Sequence, residues 1–268
     1  MAPNPKVVDA SRAADTVHDG ETVYFGGTVL DRKPMELTRA LIRAGRRDLD
    51  AVTFAGSLEI ELLVAAGSVR SVAAAYVGLG RFGPAPRYVA GVKAGRFDDL
   101  EHSEWSLLGR LRAASMGIPF LPTRAGTGSE TLAIHDFASV ADPYSGDTYV
   151  ALPPLQPDIT LLHAWRASPG GHVQMASPPQ HLWDIDVLAA RAAKRVIVGV
   201  DQIVSEEAIA SNPEHTRLFG FEVDMVVELP GGSWPTSSPP EHDVDEDAIG
   251  AYVSSGGEPG ALDFARPS

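Results

Sequence analysis

The feature that most constrains the fold is an alternation of short apolar runs with helical stretches. The run TVYFGG (22–27) predicts a strand, and the apolar period of PMELTRALIRAG (34–45) predicts a helix that closes at a glycine. A second strand is predicted at 49–56 and a second helix at 59–67. Strands that alternate with helices form mostly parallel sheets with both faces covered. We therefore expect an α/β fold, with an open, mostly parallel sheet flanked by helices.

The same alternation continues along the chain. Further strands are predicted within 68–78 and at 158–167, 196–204 and 223–232, a strand running into a loop is predicted at 118–126, and further helices are predicted at 100–117, 184–195 and 205–212. Because no repeat or Pro/Gly-rich linker interrupts this order, we expect residues 1–268 to form a single domain. From about 235 to 268 the composition shifts to Pro, Gly and Ser with an acidic cluster. This segment is predicted to be an extended or partly disordered tail, with a short packed helix in DEDAIGAYV.

Composition excludes several classes of function. The net charge of -13 disfavours nucleic-acid binding, because an acidic surface repels phosphate backbones. The absence of cysteine excludes disulfides, a Cys nucleophile and thiolate metal sites, and it fits a cytoplasmic protein. We see neither a secretory signal nor an apolar run near the about 18 residues of a membrane span, so we expect no membrane segment.

The Gly26-Gly27 elbow after the first predicted strand is a candidate ligand loop. Glycines let a backbone approach a ligand, and their N–H groups can bind a phosphate or a carbonyl oxygen. The alternative is a plain tight turn. The elbow is neither a dinucleotide fingerprint, since the third glycine is missing, nor a Walker loop, since no Gly-Lys-Ser/Thr follows.

Two other stretches could carry chemistry. LPTRAGTGSET (121–131) places Arg124 among glycines and small hydroxyls after a strand, which suits a carboxylate or thioester carbonyl. Its alternative is a glycine-closed loop with Glu130 starting a helix. Glu104, on a predicted helix, is a candidate general base, although acids in a first turn are usually dipole partners. The histidines show no metal-ligand spacing and there is no GxSxG elbow, so we expect neither a metal site nor a serine hydrolase.

Taken in order, these pieces resemble family I coenzyme A transferases, specifically the alpha-type subunit of the glutaconate CoA-transferase branch. The resemblance spans about residues 15–250, and the DGxxVxxGG start is specific in combination with the PFLPTR block. The matching segments are DGETVYFGG with RKPMEL (19–37), EWSLLGRLRAASMGIPFLPTRAGTGSE (104–130), PDITLLHAWRA (157–167), AAKRVIVGVDQIV (192–204) and VVELPGGSWPTS (226–237).

The resemblance implies an active site between this chain and a beta-type subunit, in an αβ or α2β2 assembly. In such transferases a glutamate of the beta chain attacks the CoA thioester, within a Ser-Glu-Asn-Gly-type motif. The nearest strings here, GSET (128–131) and VSEE (204–207), do not match, so this chain resembles the half without the nucleophile. No tightly bound cofactor is implied, and coenzyme A esters are the expected substrates.

The resemblance also assigns expected roles to individual residues. An acyl/CoA pocket would be shaped by Gly26, Gly27, Arg32 and Lys33, and a cleft facing the beta chain would be lined by Arg124, Gly126, Gly128 and Ser129. Glu104 would orient substrate or water. Two departures from the family pattern, at His172 and in the block after Gly232, indicate an altered substrate or lost transferase activity.

Other functions remain open at this stage. A related branch, the cholesterol ring-opening CoA hydrolases, cleaves a ring C–C bond of a cyclic keto acyl-CoA, and its implicated base falls on Glu104. The chain could also be a non-catalytic subunit that binds CoA esters. A sugar-phosphate isomerase on a related fold is disfavoured by the specific segments above.

Overall fold

The computed structural model describes residues 6–130, 134–176, 180–258 and 260. Its core is a parallel sheet built from β1 Thr22–Phe25, β2 Leu49–Gly56, β3 Val69–Val77, β4 Asp98–Glu101, β8 Ile159–Ala167, β10 Arg195–Ile203 and β12 Met225–Glu228. The strand order across this sheet is β12-β10-β8-β1-β2-β3-β4. The predicted fold class is confirmed.

Antiparallel strands extend this frame. The short strands β9 (Val173–Gln174) and β11 (Thr216–Leu218) continue the main sheet beyond β8. A separate three-stranded sheet is formed by β5 (Leu121–Thr123), β6 (Ser139–Ala141) and β7 (Thr148–Leu152), with β7 in the middle. The sequence predicted only the first of these three strands, as the strand part of the strand-to-loop segment at 118–126.

Helices cover both faces of the sheet. They are α1 Ala10–Asp15, α2 Met35–Arg43, α3 Leu58–Ala65, α4 Pro86–Lys93, α5 Glu104–Ser115, α6 Trp183–Ala192, α7 Glu206–Ala210 and α8 Glu246–Ser254, with 3-10 turns at Gly80–Phe82, Pro213–His215 and Gly220–Glu222. None of the helices in the described ranges is long and apolar enough to cross a membrane.

Alternate residues of the strands divide the core into two layers. On one face Tyr24 and Val52 pack against Leu107 of α5 and Ile185 of α6. The next residues along the strands point the other way, toward α1, α2 and α3. This alternation is the two-residue period of a sheet buried on both sides, and it is the reason why the central strands read as apolar runs.

One predicted helix is wrong in its first part. Residues 100–101 belong to the edge strand β4, and the helix begins only at Glu104, where the Ser103 side chain caps it by accepting from the Ser106 N–H at 3.1 Å. All four residues of β4 are exposed and three are acidic, so the strand lacks the apolar alternation on which the prediction relied.

The segment from residue 235 contains α8, which packs on its own chain. Ile249 and Tyr252 are buried beside Leu58 and Leu62 of α3, and the Tyr252 hydroxyl donates a hydrogen bond to Glu61. The short helix predicted from DEDAIGAYV is therefore present. Within the predicted tail, residue 259 and residues 261–268 lie outside the described residues.

The strand order creates a crevice at one place. From β1 the chain moves outward through β2 and β3 to β4, and it then returns to the other side of β1 with β8. Neighbouring strands whose connections leave in opposite directions form a switch point, and open α/β sheets bind ligands at the carboxyl ends of such strands. The Gly26-Gly27 elbow lies at this point, directly after β1.

Candidate active site

The two glycines of the elbow are required by its packing. Gly27 has a φ of +73°, and a Cβ there would lie 2.4 Å from the carbonyl oxygen of Asp31 and 2.6 Å from that of Arg32. A Cβ on Gly26 would lie 2.4 Å from the Leu162 side chain. Because backbone atoms occupy the space of a Cβ on Gly27, no other residue fits at this position unless the turn moves.

The amide groups of the elbow are already used inside the chain. The Gly26 N–H donates to the Leu161 carbonyl at 2.9 Å, and the Gly27 N–H donates to Asp186 Oδ1 at 2.8 Å. The Thr28 N–H donates to the Asp31 carbonyl at 2.9 Å. The N–H donors that the sequence offers to a ligand are therefore engaged, so these glycines could shape a pocket only by holding its wall. Their pocket role stays a prediction.

The elbow also stores backbone strain that the sequence did not reveal. Val29 and Arg32 have φ values of +49° and +53°, a region that non-glycine residues seldom occupy and that is especially unfavourable for a β-branched side chain. Strain of this kind costs about 1–3 kcal/mol per residue and persists where the surrounding structure enforces it, often at functional sites.

Arg32 is buried in a polar network below the elbow. Its guanidinium lies 3.2 Å from the Asp186 carboxylate of α6 and donates to Gln180 Oε1 at 3.0 Å. The side chains of Arg32 and Asp186 are only 4% and 2% exposed, so both charges are neutralised within the chain. Because Asp186 also accepts from Gly27, one carboxylate fixes both the turn and the arginine.

Lys33 is completely buried beside Arg32. Its ammonium lies 2.8 Å from Glu59 Oε1, and it donates to the Gly27 carbonyl at 3.1 Å and to Thr53 Oγ1 at 3.3 Å. Burial lowers the pKa of Lys33, and the charge of Glu59 opposes this shift. Lys33 therefore ties the elbow to the end of β2 and cannot itself touch a ligand in this conformation.

Glu104 has the opposite surroundings. It is the first residue of α5, it is exposed, and its carboxylate makes no hydrogen bond or ion pair with the described part of the chain. The His102 N–H donates to the Ala74 carbonyl at 2.9 Å, which extends the β3–β4 pairing to the residues just before the helix. Glu104 thus stands exposed at the carboxyl edge of the sheet, where open α/β sheets bind ligands, and its catalytic role stays a prediction.

Large side chains are exposed around Glu104. Trp105 is 63% exposed, and Tyr76, at the end of β3, is 44% exposed. The strand that carries Tyr76 and the strand that leads to Glu104 are neighbours in the sheet, with Ala74 opposite Glu101. Exposed aromatic residues beside a free carboxylate are typical of a surface that contacts a ligand or another chain.

The loop that carries Arg124 is held by its own contacts. The Arg124 guanidinium pairs with Asp147 and lies 5.0 Å from the ring centre of Tyr149, with 66% of the side chain exposed. The Ser129 hydroxyl donates to the Gly126 carbonyl at 2.7 Å, and Gly126 and Gly128 have φ values of +79° and +82°. The structure does not bring these residues to the Arg32 network, and their cleft-lining role stays a prediction.

A second buried polar cluster was missed by sequence reasoning. His163 of β8 is 1% exposed, and its Nε2 lies 3.3 Å from Asp201 Oδ2 without forming an aligned hydrogen bond. Asp201 accepts from the Gly231 N–H at 2.6 Å and from Ser238 Oγ at 2.5 Å. Burial alone would raise the pKa of Asp201, but the interactions with His163, Ser238 and Gly231 hold it below its ordinary value. The cluster fastens the segment after β12 to β10.

His172 lies at one of the two departures from the family pattern. Its Nδ1 accepts a hydrogen bond from the Gly220 N–H at 3.3 Å, and its ring lies edge-on to Phe219.

Within the described residues, no three His, Asp or Glu side chains are grouped so that they could hold a metal ion.

Comparison with known proteins identifies the family. The family model described as coenzyme A transferase matches residues 7–229. The chain therefore belongs to the coenzyme A transferase family, and the resemblance seen in the sequence is confirmed.

Three relatives match most of this chain. The A-subunit of glutaconate CoA-transferase from Acidaminococcus fermentans is 28% identical, over 89% of this chain and 79% of that protein. The cholesterol ring-cleaving hydrolase IpdA subunit of Rhodococcus jostii is 31% identical, over 96% and 88%. An uncharacterized protein of Archaeoglobus fulgidus is 33% identical over 93% of this chain, which spans 56% of that protein's length.

Solved structures agree with the fold. The decarboxylase AibA/AibB superposes with a TM-score of 0.87 and 32% identity, covering 96% of each chain. Glutaconate coenzyme A-transferase from Acidaminococcus fermentans superposes with a TM-score of 0.88 and 27% identity, covering 96% of this chain and 86% of that one. The names of these relatives include a transferase, a hydrolase and a decarboxylase, so the residues at the site must decide between them.

Proposed function

We propose that this chain is the alpha-type subunit of a heteromeric enzyme that moves CoA between an acyl-CoA and a carboxylic acid. The observation that carries the proposal is the near full-length similarity to the A-subunit of a glutaconate CoA-transferase. It is supported by the exposed carboxylate of Glu104 at the carboxyl edge of the sheet. The proposal takes residues 1–268 as one alpha-type domain, working in the cytoplasm with a beta-type subunit in an αβ or α2β2 assembly.

The nucleophile would come from the beta-type subunit, because the Ser-Glu-Asn-Gly-type motif is missing from this sequence. A carboxylate of the partner attacks the thioester carbonyl, and the C–S bond breaks to release the CoA thiolate. The thiolate then attacks the carbonyl of the resulting anhydride on the enzyme side, which releases the carboxylic acid and leaves an enzyme-bound CoA thioester. The acceptor acid reverses these two steps.

This chain would supply one wall of the site. Glu104 orients the substrate, while Arg124 and Ser129, with Gly126 and Gly128, line the cleft that faces the partner. Gly26, Gly27, Arg32 and Lys33 hold the position of the pocket wall from below, since their polar groups are engaged within the chain.

A second candidate is favoured by the surroundings of Glu104. Its carboxylate has no partner among the described residues, which is what a general base needs in the absence of substrate. In a hydrolase of a cyclic keto acyl-CoA, Glu104 would take a proton from water. The hydroxide adds to the ring ketone, the neighbouring C–C bond breaks, and the carbanion takes up a proton. The similarity to an IpdA subunit supports this alternative.

The test is co-expression with the neighbouring open reading frame, followed by incubation of the complex with an acyl-CoA panel, with and without acceptor acids. Acceptor-dependent CoA exchange, with a hydroxylamine- or borohydride-trapped glutamyl adduct on the partner, would support the transferase. Breakdown of the ester without acceptor or adduct would support the hydrolase. Binding of CoA esters without turnover would indicate a non-catalytic subunit, and full activity of this chain alone would contradict the two-subunit proposal.

Variants of two neighbouring acids separate the roles. Glu104→Gln should lower hydrolysis by about 100- to 10,000-fold if Glu104 is the base, because a positioned base contributes a factor of that size. In the transferase, where it only orients substrate, the loss should be smaller. Glu101→Gln is the matched control, since Glu101 is also an exposed acid and lies on the preceding strand. Light scattering of the co-purified complex measures its stoichiometry.

A further inference from the structure

The junction between β4 and α5 contains a buried histidine next to Glu104. The His102 side chain is 2% exposed. Its Nδ1 lies 3.1 Å from Ser106 Oγ, one turn into α5, and its Nε2 lies 3.3 Å from Arg110 Nη1, two turns into α5. The imidazole ring of His102 therefore contacts side chains from the first two turns of α5.

The partners define the protonation state of His102. A guanidinium can only donate, so Nε2 accepts from Arg110 and the proton is on Nδ1, which donates to Ser106. Burial, together with the charges of His135 and Arg110, lowers the pKa of His102 to about 3. A second proton would bring two cations together, so the contact with Arg110 requires the neutral ring.

Other rings hold His102 from the opposite side. His135 stacks on it with the ring centres 4.0 Å apart and the planes 9° apart. Phe137 stacks on His135 at 4.9 Å, and the Arg110 guanidinium lies 5.6 Å from the centre of the Phe137 ring. His135 is itself fixed by a 2.7 Å hydrogen bond from Nε2 to the Glu101 carbonyl.

We propose that His102 is a positioning residue, which fixes the first turn of α5 and through it the Glu104 carboxylate. The first turn of a helix lacks internal acceptors for its N–H groups and frays unless side chains hold it. Here the Ser103 cap and the His102–Ser106 contact hold it together. His102 is too buried to reach a substrate, so it acts only through Glu104. This inference rests on the role of Glu104 in the proposed function.

The experiment is a double-mutant cycle in the complex with the beta-type subunit. His102→Phe keeps a flat ring in the stack but removes both hydrogen bonds. We expect its kcat to fall by about 10- to 100-fold, because a misplacement of about 1 Å can cost 100-fold, while KM for the acyl-CoA stays within about two-fold. In the Glu104→Gln background the same change should cause no further loss of kcat, because the group that His102 positions is already removed.

Additional variants keep the test informative if His102→Phe folds poorly. Ser106→Ala removes only one hydroxyl and should lower kcat by about three- to ten-fold, again without effect in the Glu104→Gln background. His102→Gln, whose amide oxygen can accept from Arg110 in place of Nε2, should recover part of the activity. His18→Phe, at an exposed histidine, is the matched control and should leave kcat unchanged.

The outcomes separate this inference from the proposed function. If the losses of His102→Phe and Glu104→Gln multiply in the double variant, His102 affects kcat independently of Glu104 and the inference is overturned. If Glu104→Gln leaves kcat unchanged in a complex that turns over acyl-CoA, the inference is overturned while the function stands. If the wild-type complex turns over no acyl-CoA, the proposed function fails and the positioning role fails with it.

Discussion

The buried pair of Lys33 and Glu59 allows a quantitative prediction. Neither side chain has any exposed surface, and 2.8 Å separates the ammonium from the carboxylate. Glu59→Gln removes one charge and leaves the Lys33 ammonium with only neutral acceptors, namely the new amide oxygen, the Gly27 carbonyl and the Thr53 hydroxyl. Removing one partner of a buried ion pair costs about 3–5 kcal/mol, so we expect a loss of that size in the free energy of unfolding at pH 7.

The loss should depend on pH in a defined direction. Burial already lowers the pKa of Lys33, and without Glu59 it falls further. The unfolded lysine keeps its proton up to about pH 10.4, so above the lowered folded pKa the unfolded state binds more protons and stability rises with pH. Because the pKa of Lys33 is lowered further in the variant than in the wild type, the destabilisation by Glu59→Gln should shrink as the pH rises from 7 to 9.

Urea unfolding at pH 7, 8 and 9, followed by tryptophan fluorescence, measures this effect as the difference from the wild type at each pH. The control is the double variant Lys33→Met with Glu59→Gln, which has no titrating group at the site and should lose less stability at pH 7. A destabilisation by Glu59→Gln that stays constant across this range, or an equal pH dependence in the double variant, would refute the account of Lys33 as a buried ammonium.

Three other changes have expected outcomes. Gly27→Ala should lower the free energy of unfolding by about 2–5 kcal/mol in urea titrations, since it adds a backbone clash to an unfavourable φ, whereas Gly20→Ala, with a φ of +82° and open space around its Cβ, should cost only about 1–2 kcal/mol. Tyr252→Phe should cost about 1.5–3 kcal/mol by removing the hydroxyl donor of Glu61, and limited proteolysis should then release α8 sooner. Because the pKa of His102 is lowered to about 3, the unfolded state takes up its proton first on acidification. The wild type should therefore lose about 1.4 kcal/mol per pH unit relative to His102→Phe between pH 6 and pH 4, measured by urea unfolding.

The central strands could be predicted from the sequence, and the edges could not. Strands such as β2, Leu49–Gly56, and β8, Ile159–Ala167, are buried on both faces and read as apolar runs bounded by polar residues. The edge strand β4 is exposed along its length, and the strands β6 and β7 belong to a small sheet with mostly exposed or half-buried residues. The pattern of apolar and polar residues does not identify a strand when neither face of that strand is buried.

The site shows the same division between local and distant contacts. The helix start at Glu104 is set by the local Ser103 cap, but the sequence prediction began this helix at residue 100 because the exposed edge strand β4 was not recognised. The pairs Lys33–Glu59 and Arg32–Asp186 join residues far apart in the chain, and only the fold brings them together. One signal was available: Glu59 and Glu61 interrupt the apolar run LEIELLV, and acids within a buried helix need partners.

The distribution of charge over the site argues for a half-site that another chain completes. At the elbow, the cations Arg32 and Lys33 are neutralised by buried carboxylates, and the amide donors of the turn are satisfied. Polarising a thioester carbonyl requires donors that are free to face it. After the edge strand β4, the Glu104 carboxylate accepts no hydrogen bond from the described residues. A carboxylate alone can orient or deprotonate, but it cannot stabilise a developing oxyanion. We expect the donors for that charge to come from the loop of Arg124, after release from Asp147, or from the surface of a partner. Replacing Asp147 by Asn frees the guanidinium without removing it, so turnover by that variant, set against Arg124→Met, tells which of the two supplies the charge.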